Sequence, residues 1–324
     1  MIHTDTTPLR EKIGLCQWFH YEDHVAVQRT IELLGELGVK HFRTGVSWAD
    51  YVRPGGKKWY DWQMRELASS GIEVLLSVWH TPPSISTANA CNAPPRRLRD
   101  YADFVDRLIT QYGDAWHHLE LWNEPNNRYK WNFIEHDPGW RKFGEMIGDA
   151  AYWAKQQNRT TVLGGMIPVD PHWLDLMNEY GVLPHIDVVG IHAFPGMWFP
   201  DHPNWDWRDK WTSWADKLTS LDEVSGGKPV WVTETGIATW DLARSCEAKY
   251  ELQVQAIDDV IASPGERFYL YSLIDLAPER EAIEGFHVDE NEYHMGLVKD
   301  DGYKKHAFYH LQNLLAVERE AVAV

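Results

Sequence analysis

The chain has 324 residues, is 44% hydrophobic and carries a formal net charge of -17, with an isoelectric point near 5.3. That length suits a single barrel of alternating strands and helices, and the hydrophobic share supplies a substantial core. A field this negative repels phosphate backbones, which argues against a nucleic-acid partner.

Short β-rich runs alternate with amphipathic helical patterns along the chain. The first strand is expected over Ile13 to Gln17, followed by a helix in which Val27, Ile31 and Leu34 share one face and Gly38 stands at the C-terminal cap. His41 to Val46 gives the second strand and Glu73 to Trp79 the third. The continuous apolar run Val74-Leu75-Leu76 fits a strand buried on both faces. A long loop, Thr81 to Pro95, follows, and then Tyr101, Phe104, Val105, Leu108, Ile109 and Tyr112 repeat with helical period up to Gly113. Further strands are expected over Leu119 to Trp122, Thr161 to Gly164, Ile186 to Ile191, Val230 to Thr233 and Phe268 to Ser272. A second long loop runs from Phe194 to Trp207. Tyr250, Val254, Ile257 and Ile261 form a helix broken by Pro264-Gly265, and the last helix lies around Phe308, Leu311 and Leu315. Strands and helices in strict alternation predict an α/β fold, a single (β/α)8 TIM barrel over residues 1–324 with extended βα loops. In such a barrel the loops after the strands form the functional face.

Two of these strands run into a glutamate. Leu119 to Trp122 leads to Asn123-Glu124-Pro125, and Val230 to Val232 leads to Thr233-Glu234-Thr235-Gly236. Glycosidic bond cleavage with retention needs one carboxyl group that donates and retrieves a proton and a second that attacks the sugar, roughly 5 to 5.5 Å apart. Pro125 biases Glu124 toward an extended backbone, and a partly apolar pocket with Trp122 as a wall would keep Glu124 protonated. Asn123 is placed to bond a sugar 2-hydroxyl. Glu234 must be ionised to attack, and Arg43 on the second strand is the candidate cation. His80 and His192 also follow strands and are candidate hydroxyl ligands. A single strand-end glutamate is usually a solvated loop residue, so the weight lies in the group taken together.

Phe42-Arg43, Trp79-His80, Trp122-Asn123-Glu124-Pro125, Gly190-Ile191-His192 and Thr233-Glu234-Thr235-Gly236 occur in the order found in clan A glycoside hydrolases, which the chain resembles over essentially its whole length. The segments Met295 to Val298 and Asp301 to Lys304 resemble the closing part of β-xylosidase-like and cellulase-like members. The resemblance implies acid/base catalysis by Glu124, nucleophilic attack by Glu234, 2-hydroxyl binding by Asn123 and support of the nucleophile by Arg43. It also implies that His80 and His192 line the innermost sugar site. Two departures stand out. Many relatives place Tyr where this chain has Phe194, and many place Trp at the end of the eighth strand, where Tyr271-Ser272-Leu273 stands here.

The chain has 18 tryptophans. Indole faces stack on pyranose rings, so Trp48, Trp131, Trp198, Trp205 and Trp207 are candidate sugar platforms, with Trp18 a further one. Trp153 and Trp214, within helical patterns, are expected to pack. The 16 histidines include no His-Glu-x-x-His helix, and adjacent His117-His118 would point to opposite faces of a strand, so no metal is expected. Gly164-Gly165 and Gly226-Gly227 read as turn material and not as phosphate loops, so no nucleotide cofactor is expected either.

Cys16, Cys91 and Cys246 are far apart with no Cys-x-x-Cys pair, which suggests neither a disulfide framework nor a thiolate metal site. Met1 to Lys12 lacks the apolar core of a signal peptide, and no later run is long and apolar enough to span a bilayer. The expectation is a cytoplasmic protein without membrane contact, although a trimmed secretion signal would leave the same start. The sequence does not fix the oligomeric state. The expected activity is retaining β-glycoside hydrolysis of short oligosaccharides or small β-glycosides, without a cofactor. A carbohydrate-binding barrel without catalysis, a transglycosylase using the same carboxylates, and a metal-dependent isomerase or hydrolase are the alternatives.

Overall fold

The computed structural model describes residues 7–195, 197, 213–277 and 290–322. Eight parallel strands close into a barrel, in the order β1-β8-β7-β6-β5-β4-β3-β2. They are β1 (Ile13–Cys16), β2 (His41–Ser47), β3 (Glu73–Trp79), β4 (His118–Leu121), β5 (Thr160–Met166), β6 (Val188–His192), β7 (Val230–Thr235) and β8 (Phe268–Tyr271). A helix follows each one: α1 (His24–Leu37), α2 (Gly56–Ser70), α3 (Arg99–Tyr112), α4 (Arg141–Gln156), α5 (Pro171–Glu179), α6 (Trp214–Thr219), α7 (Tyr250–Ala262) and α8 (His306–Val322). The (β/α)8 expectation therefore holds. β3 and β6 are buried on both faces, which is why Val74-Leu75-Leu76 and Val188-Val189-Gly190-Ile191 read as apolar runs.

Local chemistry sets the element ends. Asp23 caps α1 by accepting from the Ala26 N–H, and Gly38 closes the helix in the left-handed region at φ 75°. Pro171 opens α5 behind the Asp170 cap. Between β7 and α7 two short antiparallel strands, Trp240–Asp241 and Cys246–Glu247, were not anticipated. They are too short to carry a periodic signal.

The chain divides into two compact units. One comprises Met1–Arg43, Ala193–Ala215 and Val232–Val324, the other Thr44–His192 and Asp216–Trp231. In the first, Cys16 at the end of β1 pairs with Arg43 on β2 and with Tyr271 on β8, so these three residues share a rung. In the second, Val78, Leu121 and Leu163 pair across β3, β4 and β5.

The register between β5 and β6 shifts between Leu163 and Met166, and Gly164 and Gly165 occupy that irregularity. A Cβ on Gly164 would lie 1.8 Å from the Trp122 carbonyl oxygen, and one on Gly165 would lie 1.9 Å from His192 Nε2. These glycines are therefore strand positions that yield space to two neighbours, not the turn expected from sequence.

In the first unit a buried polar network ties the loop after β7 to the loop after β8. The Lys305 ammonium, fully buried, lies 2.7 Å from Asp275 Oδ2 and 3.3 Å from Glu247 Oε1. It also donates to Thr239 Oγ1 at 3.0 Å and to the His294 carbonyl at 3.2 Å. Burial raises the Glu247 carboxyl, but its bonds to Lys299 and Thr239 and the Lys305 charge outweigh that and hold it at about 2. Burial dominates at Asp275 and pushes it up to about 6.

Candidate active site

Glu234, on β7, is 5% exposed. Its Oε1 accepts from Arg43 Nη1 at 2.5 Å and from Trp18 Nε1 at 3.1 Å, and Cys16 Sγ lies 3.9 Å from the same oxygen. Arg43 Nη1 is also 3.4 Å from Cys16 Sγ, and its guanidinium carbon lies 5.0 Å from the centre of the Trp18 ring. Arg43 is wholly buried. Such a charge persists in the interior only with a partner, and Glu234 is one such partner. The Glu234 carbonyl accepts from the Ala193 N–H at 3.1 Å, which fixes the backbone. Gly236 admits the close passage of β8, since a Cβ there would lie 2.1 Å from the Tyr271 carbonyl. Phe194 meets the half-buried Tyr271 edge-on at 6.0 Å, so the ring at position 194 packs and donates nothing.

Glu124 follows β4 with its side chain 13% exposed. Its backbone departs from the extended form expected beside Pro125. Its φ is 48°, and that of Trp122 is 74°. The cause is a local turn: the Asn127 N–H donates to the Glu124 carbonyl at 3.0 Å, and Asn127 Nδ2 donates to Glu124 Oε2 at 2.9 Å. Left-handed backbone at a non-glycine residue costs energy and is characteristic of functional rims. Trp122 is the hub of this loop, with its indole N–H on the Lys130 carbonyl at 3.2 Å and its ring edge-on to Trp131 at 5.2 Å.

His192 ends β6, fully buried, with Nδ1 3.0 Å from Glu124 Oε1. Lys130, 3% exposed, holds its ammonium 5.3 Å from the centre of the Trp79 ring. Burial alone would raise the Glu124 carboxyl. The His192 hydrogen bond, the Lys130 charge and the Asn127 amide outweigh it and hold the group below the ordinary carboxylate range. This reverses the sequence expectation of a carboxyl kept protonated in the resting protein. Burial, aided by the Lys130 charge, pushes the His80 imidazole down to about 3, so His80 is neutral at pH 7. His80 Nδ1 is 3.5 Å from Ser47 Oγ, and Asn123 is buried beside Glu124 in sequence.

The tryptophans divide differently from expectation. Trp48 is buried, stacked on Phe104 at 5.2 Å, and Trp131 is wedged between Trp122 and Phe143 with its N–H on Asp137 at 3.2 Å. Both rings are already covered on the faces a sugar would need, so they serve as packing. Trp153, expected to pack, is 50% exposed on α4, whereas Trp214 packs on Phe268 at 5.1 Å. Trp198, Trp205 and Trp207 lie outside the described residues.

Sequence reasoning passed over Asn127, Lys130 and the orienting contact of Trp18. An asparagine three residues after Glu124 is a turn signal that could have been read. Nothing in hydrophobic periodicity marks a lysine that folds inward.

No family model matches the chain. In sequence it is similar to "Beta-glucosidase 17" of Arabidopsis thaliana, 28% identical over 102 residues, which is 28% of this chain and 20% of that protein. It is also similar to "Probable inactive beta-glucosidase 25" of the same plant, 26% identical over 125 residues, 35% of this chain and 22% of the relative. The matches thus span about a fifth of the curated relatives' length. In structure it is similar to a monomeric β-xylosidase from Caulobacter crescentus CB15, with a TM-score of 0.68 at 17% identity over 96% of this chain and 69% of that one. The virulence factor SghA from Agrobacterium tumefaciens gives a TM-score of 0.61 at 13% identity over 94% of this chain and 96% of that one. The chain therefore shares its barrel fold with glycoside hydrolases and resembles β-glucosidases over part of its sequence. Among the described residues, no helix is long and apolar enough to cross a membrane.

Proposed function

We propose that the chain is a single catalytic domain, a retaining β-glycoside hydrolase that acts on short oligosaccharides or small β-glycosides. The observation that carries the reading is the contrast between two strand-end carboxyls, the buried Glu234 bound to a permanent cation and the half-buried Glu124 bound to an imidazole. Glu234 is suited to attack, because the Arg43 guanidinium and the Trp18 indole both meet its Oε1. Glu124 is suited to proton transfer, because it stands at the rim with its side chain 13% exposed and has an imidazole, not a guanidinium, beside it.

In the first step a Glu234 carboxylate oxygen bonds to the anomeric carbon while the glycosidic bond breaks. Its electron pair leaves with the aglycone oxygen, which takes the Glu124 proton. For that, sugar binding must reverse the balance at Glu124. Seating a ring over it strips the remaining solvent, and desolvation favours the neutral acid. In the second step Glu124, now a carboxylate, draws a proton from the water that displaces Glu234, restoring both groups. The reaction requires the two carboxyls to face one sugar at roughly 5 to 5.5 Å. In support, parallel strands of one closed barrel deliver the residues that follow them to a common rim. Asn123, His80, His192 and Tyr271 would then contact the sugar in the innermost site.

The test is incubation with 2-deoxy-2-fluoro β-glycosides bearing good leaving groups, followed by peptide mass mapping. An adduct on Glu234 is expected. Labelling of another carboxylate refutes the nucleophile assignment, and sugar binding without adduct or turnover favours a non-catalytic barrel.

A further inference from the structure

Resting on the assignment of Glu234 as nucleophile, we propose that Trp18 is a positioning residue that orients the Glu234 carboxylate through its indole N–H. The donors that meet Glu234 Oε1 come from two directions, Arg43 Nη1 at 2.5 Å and Trp18 Nε1 at 3.1 Å. A second donor on the same oxygen, from a different direction, restrains rotation of the carboxylate about its Cγ–Cδ bond further than one does. Trp18 is itself well held, 7% exposed and covered by the Arg43 guanidinium 5.0 Å from its ring centre. A ring so covered is poorly available for stacking on a pyranose. Cys16, two residues earlier, adds its thiol 3.9 Å from the same oxygen, so β1 and the residues just after it serve the nucleophile. On the other flank Phe194 offers only a hydrocarbon ring, packed against Tyr271.

When water later displaces the sugar, the electron pair of the bond between the Glu234 oxygen and the anomeric carbon returns to Glu234. The Trp18 N–H then bonds the reforming carboxylate more strongly than it bonds the ester.

Two measurements test this. Trp18→Phe keeps a ring under Arg43 and removes the donor. It is expected to lower kcat by about tenfold or more on aryl glycosides, with KM unchanged or lower. A raised KM at constant kcat would mean that Trp18 stacks on sugar, and unchanged kinetics would mean no role. Either result overturns the proposal. The second readout needs no turnover. In protein labelled with 15N-tryptophan, one indole N–H resonance should shift in both Glu234→Ala and Arg43→Lys, and Trp18→Phe, if folded, should delete that same resonance. If no indole signal responds to Glu234→Ala, the contact is refuted. If the signal responds but 2-fluoro glycosides label a different carboxylate, the contact stands and the nucleophile assignment fails.

Discussion

Glu234 and Glu124 are both glutamates at strand ends, the first buried and the second half-buried, and they are held by different kinds of partner. Around Glu234 the donors are a guanidinium that never loses its proton, an indole and a thiol, all rigid and inward-facing. Around Glu124 they are an imidazole and an amide on a strained turn, with a lysine nearby. What separates an attacking carboxylate from a proton carrier, in this reading, is therefore the kind of partner beside it, a guanidinium for Glu234 and an imidazole for Glu124. Glu247 sharpens the point, since it too is held well down by cations, yet its contacts serve to tie loops together. A depressed carboxyl alone does not mark chemistry.

The contrast can be broken by substitution. Glu234→Gln should cost the most, roughly 10⁴-fold or more in kcat on every substrate, because no leaving group compensates for a missing nucleophile. Steady-state assays across aryl glycosides check it, and a loss that varied with leaving group would exchange the two roles. Glu124→Gln should lower kcat/KM by about 10²–10⁴-fold for poor leaving groups and much less for good ones, since only the former need an acid. Gly165→Ala should disturb the Glu124 side selectively. The added Cβ would meet His192 Nε2 at 1.9 Å, so a stability loss of about 1–3 kcal/mol by thermal unfolding is expected, with activity falling alongside. Lys130→Met gives the smallest effect. Its charge lowers the Glu124 carboxyl, so removing it raises that group and moves the basic limb of the kcat/KM profile to higher pH, by less than about one unit. A shift to lower pH would show that Lys130 acts on something other than the acid.

Much of the fold was legible because a strand such as β3 is largely apolar on both faces and a helix such as α3 is striped, so Val74-Leu75-Leu76 and the Tyr101 to Tyr112 series needed no tertiary information. Glu124 and Glu234 stood out because their strands end on them. Local turn closure outweighed the Pro125 bias at Glu124, since Asn127 supplies two hydrogen bonds against a steric preference. Tryptophan was the least legible residue. It is large enough for a core and polar enough for a rim, and only neighbours such as Phe104 for Trp48 or Phe143 for Trp131 decide between them. Buried lysines escaped for a related reason. Sequence patterns assign them to solvent, whereas Lys130 and Lys305 lie inside.

Lys305 stands where Glu247, Asp275 and His294 bring ligand atoms within 4.8 Å of one another, an arrangement in which other proteins seat a mineral ion. Here the Lys305 ammonium, fully buried, supplies a counter-charge to Asp275 and Glu247, and changes in external salt scarcely reach a contact so shielded from water.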